Sequence, residues 1–135
     1  MIVSSRVRNA LAAGMAGLID RGDGPGVLEF YDGERPASVD IAVTRQRRLA
    51  RVAFARPAFS RAEDGRIVAH ALVPCNTLLT GRVSWARISD GDGNALLDLD
   101  VGDANAGAAL TTSTTQRVAH SPVVIDDFSL SVPAH

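Results

Sequence analysis

The run from Trp85 to Gly102, Trp85-Ala-Arg-Ile-Ser-Asp-Gly-Asp-Gly-Asn-Ala-Leu-Leu-Asp-Leu-Asp-Val-Gly102, constrains the chain more than any other stretch. It admits two readings. As a cation loop, Asp90, Asp92 and Asn94 stand at the alternate positions that open a calcium loop. Such a loop needs Gly at its sixth position for the sharp turn and a bidentate Glu at its twelfth. This chain has Ala95 and Val101 there, and no helical pattern flanks the segment. As a β-hairpin it has every local requirement. Val83, Trp85 and Arg87 alternate with Ser84, Ala86 and Ile88 before the turn, and Leu97, Leu99 and Val101 alternate with Leu96, Asp98 and Asp100 after it. Period two on both sides of an Asp-Gly-Asp-Gly-Asn cluster predicts a hairpin, because Gly and Asn tolerate positive φ and Asp binds local backbone donors.

The remainder has the same texture. Apolar residues at helical spacing occur once, where Val7, Leu11, Gly14/Met15 and Leu18 predict a helix over Ser4–Asp20 with Ser4 or Ser5 as its N-cap. Arg21-Gly-Asp-Gly-Pro-Gly26 ends it. This is not a phosphate loop, since it follows a helix and lacks the closing Lys-Ser/Thr. From Val27 onward short β-type runs are separated by turns. They are Val27–Tyr31, Arg48–Ala55, Arg66–Val73, the hairpin of Val83–Val101, Ala108–Thr114, Val123–Ile125 and Phe128–Val132. Asp32-Gly33, a polar stretch with Pro36, and Glu63-Asp64-Gly65 lie between them. With no second helix of crossover length, a parallel α/β layout is excluded. The expectation is an all-β sandwich or barrel of about seven or eight short antiparallel strands with one N-terminal helix. Residues 1–26 form the helix and its Gly-rich turn and 27–135 the β domain, as one folding unit.

Composition narrows the function classes. With 135 residues, 46% of them hydrophobic, one domain can bury roughly two-thirds of its unfolded surface. No apolar run approaches the roughly 18 residues that span a bilayer. Ile2-Val3 is too short for a signal peptide, and Arg6 and Arg8 follow it rather than precede it, so no membrane partner is expected. The lone Cys75 excludes an internal disulfide and favours synthesis inside the cell. All 14 basic residues are arginine, which removes Schiff-base, phosphate-loop and isopeptide lysines. Residues 1–66 carry 11 Arg against 8 acids, and residues 67–135 carry 3 Arg against 7. Such polarity favours docking between complementary surfaces.

Catalytic and metal chemistry finds little support. His70, His120 and His135 have no Cys or His partner at metal-motif spacing. Cys75 lies between Pro74 and Asn76 without a local nucleophile signature, and an inert side chain is expected. Asp98, Asp100, Asp126 and Asp127 are expected to face solvent from strand edges. No cofactor and no enzymatic role are expected. The basic cluster Arg45-Gln-Arg-Arg-Leu-Ala-Arg51 is the remaining candidate, with Arg45, Arg47, Arg48 and Arg51 as protein-interaction residues. Nucleic acid is not expected there, because the chain is mildly acidic and only 4% aromatic, too few rings for a stacking platform. The cluster reads as a solvated edge strand or docking patch, where arginine also blocks unwanted strand pairing.

Several segments, taken in order, carry a resemblance. After the Ala-rich helix come Leu28-Glu-Phe-Tyr-Asp-Gly-Glu-Arg-Pro-Ala-Ser38, Leu49-Ala-Arg-Val-Ala-Phe54 and Pro57-Ala-Phe59, then Trp85–Asn94, then Phe128-Ser-Leu-Ser-Val-Pro-Ala134. This layout resembles the capsid cement or decoration proteins of tailed bacteriophages over almost the whole chain, through strand-and-turn patterns that are each weak alone. The resemblance implies a jelly roll that binds the outside of a shell of major capsid protein as a homodimer, on the virion exterior after synthesis in the bacterial cytoplasm. It implies no catalytic residues. The stretch Arg45–Arg51 departs from that pattern, as a local adaptation to its own shell would. A cement needs a rigid β scaffold, exposed strand edges or termini, and charge complementarity. Two rival readings are a head–tail or tail component, and a ligand- or carbohydrate-binding β module resting on the acidic turn.

Overall fold

The computed structural model describes residues 1–73, 75–103, 110–112, 116–117, 119–120, 123 and 125–133. Helix α1 (Ser5–Ile19) begins where Ser4 takes an extended N-cap conformation and its Oγ accepts the Val7 N–H at 3.2 Å, satisfying one of the helix's orphan donors. It ends at Asp20, where the Arg56 guanidinium donates to the carbonyls of Asp20 at 3.0 Å and Gly22 at 2.6 Å. That places a cation at the negative end of the helix dipole. The stripe that marks the helix in the sequence is not the one it buries. Ala12 and Ile19 are fully buried, whereas Val7, Leu11 and Leu18 face solvent.

The chain is all-β apart from this helix. The described strands are β1 (Val27–Tyr31), β2 (Arg48–Ala53), β3 (Arg66–Val68), β4 (Gly81–Arg82), β5 (Trp85–Ser89), β6 (Ala95–Asp103), β7 (Leu110–Thr112), β8 (Gln116–Arg117) and β9 (Ile125–Ser131). Seven form one sheet in the order β2-β1-β5-β6-β7-β9-β3, and β4 and β8 form a separate two-stranded ribbon. Pairing is antiparallel except between β6 and β7, which run parallel. The Trp85–Gly102 hairpin is present, with Trp85 opposite Asp100 and Ser89 opposite Ala95.

Three strands differ in extent from the sequence pattern. The run from Arg66 yields a strand only to Val68, because the chain then changes partner: Ala69 still donates to the Phe128 carbonyl of β9 at 3.1 Å while bridging Phe59, His70 donates to the Ala58 carbonyl at 2.9 Å, and Val73 donates to the Ala53 carbonyl at 3.0 Å. Hydrogen bonding to two different partners splits what periodicity reads as one strand. The runs expected at Val123–Ile125 and Phe128–Val132 meet in a single strand, β9, which begins at Ile125 and ends at Ser131. Of Ala108–Thr114, Leu110–Thr112 is strand and the rest lies outside the described residues.

The helix and sheet share one core. Leu28, Phe30, Leu49, Val52, Phe54, Ile67, Ile88 and Phe128 cluster there with Ala12 and Ile19. The rings of Phe54, Phe59 and Phe128 meet with centroids 5.5, 5.7 and 5.9 Å apart. Arg8 fastens the helix to the far side of the sheet by donating to the Val132 carbonyl at 2.9 Å and the Asp64 carbonyl at 2.8 Å. The turn it grips is a tight hairpin: Glu63 and Arg66 exchange both backbone bonds, with φ of 52° at Asp64 and 72° at Gly65. Positive φ at both central residues is the geometry that favours Gly at the second. A side chain at Gly65 would also collide with Arg8.

Strand β5 departs from the half-buried pattern. All five of its residues are buried. Ala86 and Ile88 face the core, and Trp85, Arg87 and Ser89 face the opposite side, where the polar stretch from Asp32 to Arg47 meets Trp85 and Arg87. Trp85 Nε1 donates to the Asp32 carbonyl at 3.1 Å, and Arg87 Nη1 donates to the Ile41 carbonyl at 3.0 Å. Tyr31 stacks on Trp85 with centroids 4.6 Å apart, and the Arg87 guanidinium lies 5.5 Å from the Trp85 ring centre. Asp98, expected at the surface, is half-buried as a residue, and its side chain is enclosed. It holds Arg87 in a two-bond fork, Nε to Oδ1 at 2.7 Å and Nη2 to Oδ2 at 3.0 Å, with both side chains under a tenth exposed. Its position opposite Arg87 in the hairpin register causes this, since a cation on a covered face demands an adjacent anion. Asp100 is exposed and meets Arg35 at 3.4 Å. The side chains of Asp126 and Asp127 lie outside the described residues.

Removing one member of this pair strands a buried charge. Arg87→Ala should lower the unfolding free energy by about 3–5 kcal/mol in urea titrations, whereas Arg87→Met with Asp98→Leu should recover most of that loss. A single substitution costing under about 1 kcal/mol would show the pair to behave as a solvated one.

Candidate functional site

The four arginines singled out in the sequence lie on β2 and the residues leading into it, at one end of the sheet order. Asp32 determines where β2 begins. It accepts the Arg47 N–H at 2.6 Å on Oδ1 and Arg47 Nε at 2.8 Å on Oδ2, and its own N–H donates to the Arg47 carbonyl at 3.1 Å. These bonds close the base of the Asp32–Arg47 stretch. Gln46, within it, donates to the Glu34 carbonyl. Partial burial alone would raise the Asp32 carboxyl, but the bonds from the Arg47 backbone and side chain outweigh it and hold the group below the usual carboxylate range.

The arginines divide into two kinds. Arg47 is tied to Asp32 and Arg48 to Glu29, each at 2.8 Å. Arg45 and Arg51 are exposed and make no ion pair among the described residues. Arg51 stands opposite Glu29 in the register of β1 and β2. The patch thus keeps two positive charges beyond those its own acids neutralise.

The outer side of β2 is not an open strand edge. Leu49 accepts N–H bonds from Leu78 at 2.7 Å and Leu79 at 3.3 Å, and Ala53 accepts from Val73 at 3.0 Å. Cys75 lies beside Arg51, with which it lines one groove. Addition of a partner strand along this edge, one of the routes open to an edge strand, is therefore blocked by the chain itself. The segment doing the blocking carries exposed apolar side chains: Val73, Leu78 and Leu79 are each about half exposed. Arginines and apolar residues consequently share one band. A shallow groove of about 200 Å³ runs between Arg51, Val73 and Cys75. Through Val27, Arg51 and Ala53 it adjoins a larger one of about 330 Å³ that reaches Glu29, Ser89 and Asp90. Sequence reasoning found the arginines and missed the apolar members. The available signal was the Leu78-Leu79 pair standing outside any alternating run.

The acidic turn is a backbone staple. Asp90 accepts the N–H groups of Asp92 at 3.0 Å and Asn94 at 2.9 Å on Oδ1, and the Asn94 amide at 3.0 Å on Oδ2. These bonds, led by the Asn94 side chain, lower the Asp90 carboxyl below its ordinary value. Gly91 then lies against the turn that follows α1, donating to the Arg21 carbonyl at 2.8 Å. A Cβ at Gly91 would sit 2.1 Å from the Gly24 oxygen. Asp90 spends its lone pairs on the chain, while Asp92 and Asn94 are exposed beside it. Among the described residues no cluster of three or more His, Cys, Asp or Glu could hold a metal ion. His70 and His120 are exposed. Burial pushes the Cys75 thiol up, partly offset by the neighbouring Arg51 backbone, so less thiolate is present at neutral pH. His135 lies outside the described residues.

Compared with protein-family models, characterised proteins and solved structures, the chain matches none.

The staple predicts a pH dependence. A carboxyl lowered in the folded state adds stability above its unfolded value and loses it as pH falls through the folded one. Wild-type stability should therefore drop below about pH 4, the ordinary carboxylate value. Asp90→Asn should be less stable than wild type at pH 7, with the gap narrowing toward pH 3 in urea titrations. A gap that stays constant across that range assigns the acid sensitivity to other carboxylates.

Proposed function

We propose that this chain is a structural binding module that docks on a larger protein surface through the band formed by Arg45, Arg47, Arg48 and Arg51 with Val73, Leu78 and Leu79. The observation that carries this reading is the composition of the band: exposed arginine beside exposed apolar side chains on a rigid, self-capped strand. Arginine-rich, lysine-free contact areas with an apolar centre are the kind that protein interfaces favour. The paired Arg47 and Arg48 are held in place by their acids, which lowers the ordering cost of binding. Arg45 and Arg51 supply the unneutralised charge that attracts an acidic partner.

The resemblance to tailed-phage cement and decoration proteins gives the partner its identity in this proposal. The partner is the major capsid protein, and the chain reinforces the outside of the shell without catalysis or covalent linkage. Having no lysine, it cannot supply the amine for an isopeptide bond. A jelly-roll arrangement is part of the same proposal. A head–tail or tail role uses the same kind of surface and differs in stoichiometry, because a cement is present in proportion to the shell protein and a neck component is not.

Purified chain should bind expanded shells of the major capsid protein encoded with it, saturably, and raise their melting temperature. Arg45→Glu with Arg51→Glu should weaken binding roughly tenfold or more while leaving the chain's own melting temperature unchanged. Shells that melt identically with and without saturating chain would refute the capsid role. Unaltered binding by the double variant would place the contact on another surface.

A further inference from the structure

Four hydrogen bonds meet at Asp32. Its carboxylate takes the Arg47 N–H at 2.6 Å and Arg47 Nε at 2.8 Å. Its N–H donates to the Arg47 carbonyl at 3.1 Å, and its own carbonyl accepts Trp85 Nε1 at 3.1 Å. The residue thus closes the base of the polar stretch and holds the indole beneath it. No residue from Asp32 to Arg47 is buried, whereas Tyr31, Trp85 and Arg87 are each under a tenth exposed. Beyond its base the stretch is held by polar contacts. Ser84 Oγ donates to the Gly33 carbonyl at 2.5 Å, Arg87 Nη1 donates to the Ile41 carbonyl at 3.0 Å, and Arg35 meets Asp100 at 3.4 Å. Gly33, at φ of 74°, turns the chain directly after Asp32, a conformation that glycine adopts without strain. A segment with no buried groups of its own and a few polar anchors is the kind that opens while the core stays folded.

We propose that the Asp32–Arg47 stretch is an acid-sensitive flap: protonation of Asp32 unfastens its base and lets it lift from Trp85 and Arg87 while the sheet stays folded. A neutral carboxyl keeps no charge for the Arg47 guanidinium and loses acceptor capacity for the Arg47 N–H. The base then rests on the single bond between the Asp32 N–H and the Arg47 carbonyl. Lifting gives solvent access to the stacked rings of Tyr31 and Trp85 and releases Arg47 from its acid. The device is built from the chain's own contacts and does not depend on what the arginine band binds.

The charged groups around the latch assign the switch to Asp32. On the flap itself Arg47 bonds its carboxylate, and Glu34 and Arg35 follow in the chain. On the strands beside it Glu29 of β1 is engaged by Arg48 of β2, and Asp100 of β6 by Arg35. Burial raises the Tyr31 phenol, so it stays neutral in acid. Asp98 of β6 is the other carboxylate below the flap, and it holds Arg87. Protonating Asp98 would strand a buried guanidinium and unfold the sheet, an outcome distinct from lifting the flap. Partial burial opposes ionisation of Asp32, but the bonds from Arg47 outweigh it and lower its carboxyl. A group lowered in the closed form favours closure above its ordinary value and loses that contribution as pH falls through the lower one. Opening therefore belongs below about pH 4.

Trp85 is the chain's one tryptophan, so its fluorescence reports the flap. As the pH of the full chain is lowered, Trp85 emission should shift to the red and become quenchable by acrylamide before the far-UV circular dichroism of the sheet is lost. Asp32→Asn should show that red-shifted, quenchable Trp85 already at pH 7 with the sheet signal intact. Its emission should then stay level with pH until the sheet unfolds. Should Asp32→Asn fail to fold, Arg47→Gln takes its place, since it removes the guanidinium and keeps the backbone N–H. Asp90→Asn, at the other end of β5 from Trp85, should keep the wild-type emission response. Three results would overturn the proposal: wild-type emission that moves only together with the sheet signal, a folded Asp32→Asn or Arg47→Gln variant whose Trp85 is as shielded at pH 7 as in wild type, or an Asp90→Asn variant that bares Trp85 as Asp32→Asn does.

Discussion

The fork between Arg87 and Asp98 is the constraint on which the rest of the sheet depends. It lies in a row of side chains that crosses four strands in register, Arg51 on β2, Glu29 on β1, Arg87 on β5 and Asp98 on β6. Charge alternates along that row, on the face away from the core. Slipping any of these strands by one residue would turn its charged member into the core and leave its neighbour unpaired. The row therefore specifies register from the outer face while Leu28, Ile88 and their neighbours specify it from the inner one. A guanidinium with five N–H donors cannot be buried on a carboxylate alone. The Asp32–Arg47 stretch supplies the Ile41 carbonyl as a further acceptor and, by covering Trp85, keeps the pair dry.

How much of this was legible in the sequence depends on the range of the interaction. Helix α1, strand β1 and the hairpin follow from neighbours a few residues apart, and their extents match the pattern closely. The helix's buried side did not follow from it, because Ala12 and Ile19 are not the residues that dominate the apolar stripe. Burial of both faces of β5 was equally hidden, since the covering stretch is polar, contains Pro36 and has no periodicity. The sorting of the arginines was beyond local reading as well. The acids that hold Arg47 and Arg48 lie 15 and 19 residues earlier, and only the pairing of β1 with β2 brings them across. The placement of β1 between β2 and β5, and the parallel β6–β7 pair, arise from contacts distant in sequence and leave no mark in any one segment.

The charge imbalance between the halves of the chain survives folding. Of the described ion pairs, Asp32–Arg47, Glu29–Arg48 and Arg87–Asp98 each join residues of the same half, and only the exposed Arg35–Asp100 contact joins the two. Internal pairing thus engages acids within the arginine-rich half, and among the described residues neither Arg45 nor Arg51 makes an ion pair of its own. Of these two, Arg51 stands on β2 and Arg45 just before it, and the same strand is hydrogen-bonded along its outer side by Val73, Leu78 and Leu79.

The two ends of the sheet are closed by the chain that connects them. Val73, Leu78 and Leu79 hydrogen-bond the outer side of β2, and β3 is flanked by the stretch around Phe59, which bridges Ala69, and by Ser60, which donates its N–H to the Val68 carbonyl at 2.8 Å. One continuous stretch of chain runs from β2 to this flank through Phe54 and the cis Arg56–Pro57 bond. Exposed strand edges invite uncontrolled pairing with other chains, and here backbone groups at both ends are already engaged. Association must then proceed through side chains, whose shape and charge discriminate between partners where a bare strand edge would not. Exposed side chains of two kinds stand on separate elements, the arginines on and just before β2, and Val7, Leu11 and Leu18 on α1.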